Sequence, residues 1–198
     1  MKTPQRQPDL VFRGDPAPAA AALARFVRRG CPDRLFEYHS PDPDPADNCL
    51  CFFEYGTAGG VAWASLRYSL LSLVYAQPFS TPKRLALRLF GAAIHPTAYL
   101  SPALFVDPLF PSLLTIGPGA LLGVGVRIAL HEHAGSRFRA GRVTIGRGAT
   151  IGADAKIGCG VEIGEYAQLA VGAVVLRDVP PRAVVIGNPG RVVSRIDP

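Results

Sequence analysis

The sequence predicts a mainly β chain: a triangular parallel β-helix of about four coils, preceded by an α-helical N-terminal region. Three observations carry that prediction. Glycine and proline supply 21 and 19 of the 198 residues, about a fifth where ~12% is usual, and both break helix interiors. Hydrophobic residues make up 48% and charged ones 18%, enough apolar material for a core and too little charge for a disordered chain. Above all, aliphatic residues recur in phase from Ile94 to Val175, and nine of their eleven steps are six residues long.

The N-terminal region, residues 1–90, is read element by element. Residues 16–30 (PAPAAAALARFVRRG) suit a short helix, with proline near its start, Gly30 at its end and Arg25, Arg28 and Arg29 in the last turn. SPDPDPADN (40–48) alternates proline with acid and reads as a loop. VAWASLRYSLLSLVYA (61–76) is the most apolar stretch, yet Arg67 interrupts it and it falls short of the roughly 20 residues a membrane span needs. Packing on the core or on a partner is the first reading of this helix. An interfacial helix at a membrane surface, helped by Lys83, Arg84 and Arg88, is the second.

Residues 91–198 form the repeat domain. The hexad openers are Ile94, Leu100, Val106, Ile116, Leu122, Ile128, Ile145, Ile151, Ile157, Ile163, Leu169 and Val175. A small residue usually follows each opener, and another small side chain usually stands four places on. Six residues make a short strand and a turn, and three such units close one triangular coil with the openers stacked inside. The glycine after the opener lets the chain bend where a Cβ would clash. Two insertions interrupt the period: four residues after Val106 and eleven after Ile128. Chemistry is expected there, because uninterrupted hexads present no protruding groups.

Charge and cysteines exclude more than they identify. The net charge of +6 is spread evenly along the chain without a basic stripe, so no nucleic-acid partner is expected. Cys49 and Cys51 form a lone CxC without a second pair at metal-site spacing, and the four cysteines read as free thiols. The opening MKTPQRQPDL has no signal-peptide pattern, so a cytoplasmic setting, peripheral to a membrane on the second reading of the apolar helix, is the expectation.

The segments TIGPGALLGVGVRI, VTIGRGATIGADAKIGCGVEIGEYAQLAVGAVVLRDVP and VVIGNPGRVV resemble the hexapeptide-repeat acyltransferases, nearest to their maltose/galactoside and polysaccharide O-acetyltransferase branch. The resemblance covers about residues 85–195. It implies a left-handed β-helix, a homotrimer, and acetyl-CoA as co-substrate with no metal. It also implies transfer of acetyl to a sugar or polysaccharide hydroxyl by a histidine general base. An amino-sugar N-acetyltransferase is the near alternative. A zinc lyase of the carbonic-anhydrase kind and a non-catalytic β-helix binding protein are the distant ones, the zinc lyase needing a third histidine beyond His131 and His133.

The residues follow from that resemblance. The long insertion, ALHEHAGSRFRAGRV, begins where the family places its base, and His supplies a base near neutral pH. One family pattern, an aliphatic strand running into Thr-His-Glu, aligns with Leu130-His131-Glu132 and selects His131. The maltose-type pattern selects His133. His131 is the choice, with Glu132 or a carbonyl orienting its ring, and Leu130 departs from the usual Thr. His39 and His95 read as structural or surface residues. Ala170 and Gly172 match positions where the pantetheine arm lies along the coil. Asn188 and Pro189 form the motif's turn, and Arg177 and Arg191 match phosphate-binding cations. Val171 and Leu176 stand where Ser and Thr are common. In the shorter insertion, DPLFP, Asp107 is a candidate for acceptor hydroxyls and Phe110 for a sugar face, beside the plainer reading of a turn. Arg137, Arg139, Arg142 and Arg147 cluster around the loop.

Overall fold

A computed structural model describes residues 8–28, 30–41 and 58–197. Arg29, most of the 40–48 loop, Cys49, Cys51 and the first seven residues lie outside the described set.

The N-terminal region contains strands as well as helices. β1 (Leu10–Arg13) leads into α1 (Pro16–Phe26), and β2 (Leu35–His39) returns parallel to β1. Asp15 caps α1 by accepting from Ala17 N at 2.9 Å. The helix expected over 16–30 stops at Phe26, and Gly30 takes a left-handed φ of 86° in the turn beyond. The apolar stretch is α2 (Ala58–Tyr75), followed by α3 (Ser80–Leu89). No described helix is long and apolar enough to cross a membrane.

The repeat then winds in circuits of three strands. The first is β3 (Ala93–Ile94), β4 (Tyr99–Leu100) and β5 (Phe105–Val106). The second is β6 (Leu114–Ile116), β7 (Leu121–Leu122) and β8 (Arg127–Ile128). A hairpin of β9 (His131–Ala134) and β10 (Arg137–Gly141) leaves the body at this point. Winding resumes with β11 (Val143–Ile145), β12 (Thr150–Ile151) and β13 (Lys156–Ile157), then β14 (Glu162–Ile163), β15 (Gln168–Leu169) and β16 (Val174–Val175). β17 (Ala183–Ile186) stacks on β15 and turns back into β18 (Arg191–Arg195). Parallel pairing joins equivalent strands of successive circuits, giving three faces: β3-β6-β11-β14, β4-β7-β12-β15-β17-β18 and β5-β8-β13-β16.

All twelve openers are buried, at 5% exposure or less. The small residues four places on, such as Ala120, Ala149, Ala167 and Ala173, are buried too, so each hexad sends two side chains inward. The glycine after the opener answers to close approach: a Cβ on Gly152 would stand 2.6 Å from the backbone of Ala170 and Val171. The left-handed residue of the turn comes two places later. Gly172 occupies it at φ 68° and Tyr166 at φ 57°, so the turn accepts a side chain where the stacking position does not.

The helical lead-in closes the open end of the prism. Each circuit's N–H groups donate to carbonyls of the next, as Tyr99 N does to Ala120 O at 2.8 Å and Asp107 N to Ile128 O at 3.0 Å. The first-circuit carbonyls that would accept from a preceding circuit, such as those of Ile94, Ala98, Leu100 and Val106, therefore have no strand partner, and buried orphans of this kind are costly. Side chains of α2 and α3 serve them. Arg88 Nε donates to Ile94 O at 2.7 Å and Arg84 Nη1 to Ala98 O at 2.8 Å. Lys83 Nζ reaches Leu100 O at 3.5 Å and Gln77 O at 2.6 Å, and Tyr75 Oη donates to Val106 O at 2.9 Å. Lys83 is fully buried, and burial lowers its pKa. The three cations expected to help a membrane-surface helix are thus turned onto the prism. Trp63, Leu66, Leu73, Phe79, Leu85 and Leu89 remain exposed on this base.

Candidate active site

Both insertions leave the prism at one corner, between the third and first faces, on neighbouring circuits. Asp107 directly follows opener Val106, and Val106 pairs with opener Ile128, three residues before His131. Stacking therefore brings the two insertions together. Asp107 is 4% exposed. Its Oδ1 accepts from Leu109 N at 2.9 Å, its Oδ2 from Leu130 N at 3.3 Å and from His131 Nδ1. With Nδ1 donating, the neutral ring presents Nε2 as an acceptor, and Nε2 has no partner among the described residues.

The imidazole is clamped by rings. Phe138 stacks on it at 6.0 Å and 27°, and Phe110 meets its edge at 5.5 Å and 84°. Phe138 continues to Phe36 at 6.4 Å, and Phe36 to Phe26 at 5.9 Å, so an aromatic row links His131 to α1. The hairpin is further held because β2 adds to β10 antiparallel, making the sheet β1-β2-β10-β9.

Strand alternation sorts the remaining loop residues. His133 lies near Phe138 at 6.2 Å, on the His131 side of β9. Glu132 faces the other way and accepts from Arg139 Nη1 at 2.8 Å, while Arg139 Nε stands 3.0 Å from Glu37 Oε2. Glu132 therefore does not orient His131, as expected from sequence; Asp107 does. Phe110, expected to stack on a sugar, is 2% exposed and packs on the histidine instead. His39 bonds Glu37 at 2.6 Å and His95 bonds Thr97 at 2.8 Å. Arg142 Nε donates to Asp33 O at 2.9 Å, and Arg34 reaches Glu162, Asp178 and Gly160 O. These contacts dock the N-terminal unit along the same corner. Cys159 lies beside Glu132, and burial first, then that carboxylate, pushes its thiol up to about 12. Burial and the nearby Asp107 also push the Tyr75 phenol upward.

His131 and Asp107 open on a cavity of about 520 Å³. Tyr68 from α2, Phe105, Arg127, Ala129 and the Pro108–Leu109 turn line it. Sequence reasoning missed Phe138, Tyr68 and Arg127. The stacking register could have shown that Asp107 and His131 meet, since their openers are one circuit apart. Nothing in the repeat signals Tyr68, which comes from outside it.

Most of the expected cofactor residues sit elsewhere. Ala170, Gly172, Asn188 and Pro189 occupy the corner between the second and third faces, toward the C-terminal end, and the space around Gly172 is open. Arg191 begins the exposed β18, and Arg177 is exposed after β16. Arg177, between β16 and the first face, lies on the His131 corner two circuits further along, whereas one chain does not bring Ala170, Gly172, Asn188 and Pro189 to that corner. Among the described residues no three His, Cys, Asp or Glu side chains come together in a way that could hold a metal ion.

Comparison with known proteins adds a match within the repeat. Residues 142–177 match the family model of the bacterial transferase hexapeptide, six repeats. The chain is 39% identical over 87 residues to the YvoF protein of Bacillus subtilis, covering 44% of this chain and 51% of that one. It is 35% identical over 113 residues to serine acetyltransferase of Mycobacterium tuberculosis, covering 56% and 48%. The chain thus spans about half the length of the curated relatives it matches. In fold it is similar to a hexapeptide-repeat acetyltransferase of Vibrio cholerae, with TM-score 0.57 and 21% identity over 72% of this chain and 96% of that one. That neighbour has also been solved with acetyl-CoA. A maltose O-acetyltransferase of Clostridium difficile gives TM-score 0.54 and 20% identity, covering 82% and 94%. The resemblance drawn from the sequence is met by the repeat match and by the fold.

Proposed function

We propose that this hexapeptide-repeat protein is an acetyl-CoA-dependent O-acetyltransferase acting on a sugar or glycan hydroxyl. One observation carries the reading: a half-buried histidine, held by a buried aspartate through Nδ1, presents Nε2 to a cavity. That is the arrangement a general base needs. Acetyl-CoA supplies the acetyl group as an activated thioester. His131 Nε2 takes the proton of the acceptor hydroxyl and later returns it to the departing thiolate. Asp107 holds the ring in the required tautomer and stabilises the imidazolium formed in between. Phe110 and Phe138 prevent the ring from turning.

The open corner at Ala170 and Gly172 fits an extended pantetheine arm, and Arg177 and Arg191 suit its phosphates. Because that corner is not the corner of His131, we take the working unit to be a homotrimer. In it a neighbouring copy would complete the site, and the coils would wind left-handed as in the resembling family.

Release of free coenzyme A in the presence of hydroxyl and amine acceptors tests the activity. His131→Ala should lower turnover about 10²–10⁴-fold with acetyl-CoA affinity nearly kept, and sedimentation should give a trimer. An active His131→Ala beside an inactive His133→Ala would transfer the role to His133.

A further inference from the structure

The cavity wall also speaks to the acceptor, on the reading that His131 is the base of an acetyl transfer. Tyr68, Phe105, Pro108 and Leu109 give it an apolar lining. A bare sugar would set hydroxyl groups against those walls without partners, an unfavourable exchange for water.

Besides His131, two ionisable groups of fixed charge line the cavity, and they differ. The Asp107 carboxylate is saturated by His131, Leu130 N and Leu109 N. Arg127 has no carboxylate partner among the described residues. Its guanidinium lies over the Phe105 ring at 5.7 Å, and Phe105 is itself braced edge-on by Tyr75 at 6.0 Å. On the next rung of the same face Lys156 pairs with Arg127, which sets a second cation about 4.8 Å along the prism. Phe105 and Val174 complete the column, so no acid interrupts it. A cation beside an apolar wall attracts an anion more strongly than one in open water.

We propose that the acceptor is an amphiphilic anion: a hydroxyl compound whose apolar substituent lies against Tyr68, Phe105 and Leu109 and whose negative charge meets Arg127. Four probes separate the two features: glucose, glucuronate, phenyl β-glucoside and phenyl β-glucuronide. Dissociation constants are measured on the full chain without acetyl-CoA, so that binding is read apart from turnover. Phenyl glucuronide should bind about tenfold tighter than either singly substituted probe, with glucose weakest. Arg127→Gln should bring the ratio of glucuronide to glucoside affinity to about one. Tyr68→Ser should shrink the ratio of phenyl to unsubstituted probe.

Equal binding of all four, no binding of any at millimolar concentration, or discrimination intact in Arg127→Gln would overturn the proposal. So would a rise in KM for acetyl-CoA in Arg127→Gln with acceptor discrimination kept, which would assign the cation to the donor. Selective binding of phenyl glucuronide without coenzyme A release from any acceptor would instead sink the acetyl-transfer reading and leave the ligand class standing.

Discussion

The prism and the four-stranded sheet at its corner are held together by opposite means. In the prism, one inward aliphatic residue per hexad stacks on its copies, and every circuit repeats the same contacts. In the sheet, no contact repeats. Its strands come from residues 10–39 and 131–141, and its fastenings include an aromatic row and ion pairs such as Arg34 with Glu162, 128 residues apart. The sheet has one copy of everything, and it carries His131. Stability is thus distributed and the candidate chemistry is concentrated.

Four substitutions or treatments can break this contrast, taken from the largest expected effect downward. Gly152→Val should unfold the prism outright, beyond the 4–5 kcal/mol that marks an exceptional substitution. Its side chain would begin 2.6 Å from the backbone of the next circuit, and thermal unfolding would show the loss. Asp107→Asn should lower kcat about 10²–10⁴-fold by favouring the wrong tautomer of His131, with little change in melting temperature. A drop in Tm without a drop in kcat would make Asp107 part of the scaffold instead. Arg88→Met should leave Ile94 O without its cationic donor and cost about 1–3 kcal/mol in denaturant unfolding, at one end of the prism. Last, Cys159 should stay unreactive toward iodoacetamide in the folded protein at pH 8–9, since its thiol is pushed up to about 12, and should react once the protein is unfolded. Mass spectrometry of the labelled peptide reads this.

Legibility in the sequence follows the same division. Openers from Ile94 to Val175 could be placed by counting, because a period of six survives two insertions. The longer insertion marks both His131 and His133, and the choice of His131 rests on the family resemblance, not on the period. The partner of His131 was misread: Glu132 is its neighbour in sequence, yet alternation along β9 turns Glu132 toward Arg139. Asp107 was read as a turn residue or an acceptor ligand, and the hydrogen bond to Leu109 N shows the turn is real as well. Phe110 looked available to a sugar but lies under the histidine. The strands β1 and β2 escaped notice because each pairs with a segment far away, and short non-periodic strands carry little local signal.

The apolar helix 61–76 shows what burial alone leaves undecided. Its composition allowed packing or a membrane surface, with Lys83, Arg84 and Arg88 as the basic flank. The fold directs those cations to first-circuit carbonyls, a need visible only once the direction of hydrogen bonding along the prism is known.

By itself the sequence determined the repeating body, because each hexad states its own requirement: an aliphatic residue inside, a small one where circuits touch. Only the tertiary structure decided the site. Asp107, the hairpin of His131 and Phe138, and Tyr68 come from three different segments, and each segment's pattern is satisfied without reference to the others. Their meeting is set by stacking register and by the sheet built onto the loop, which are long-range contacts that no local period encodes.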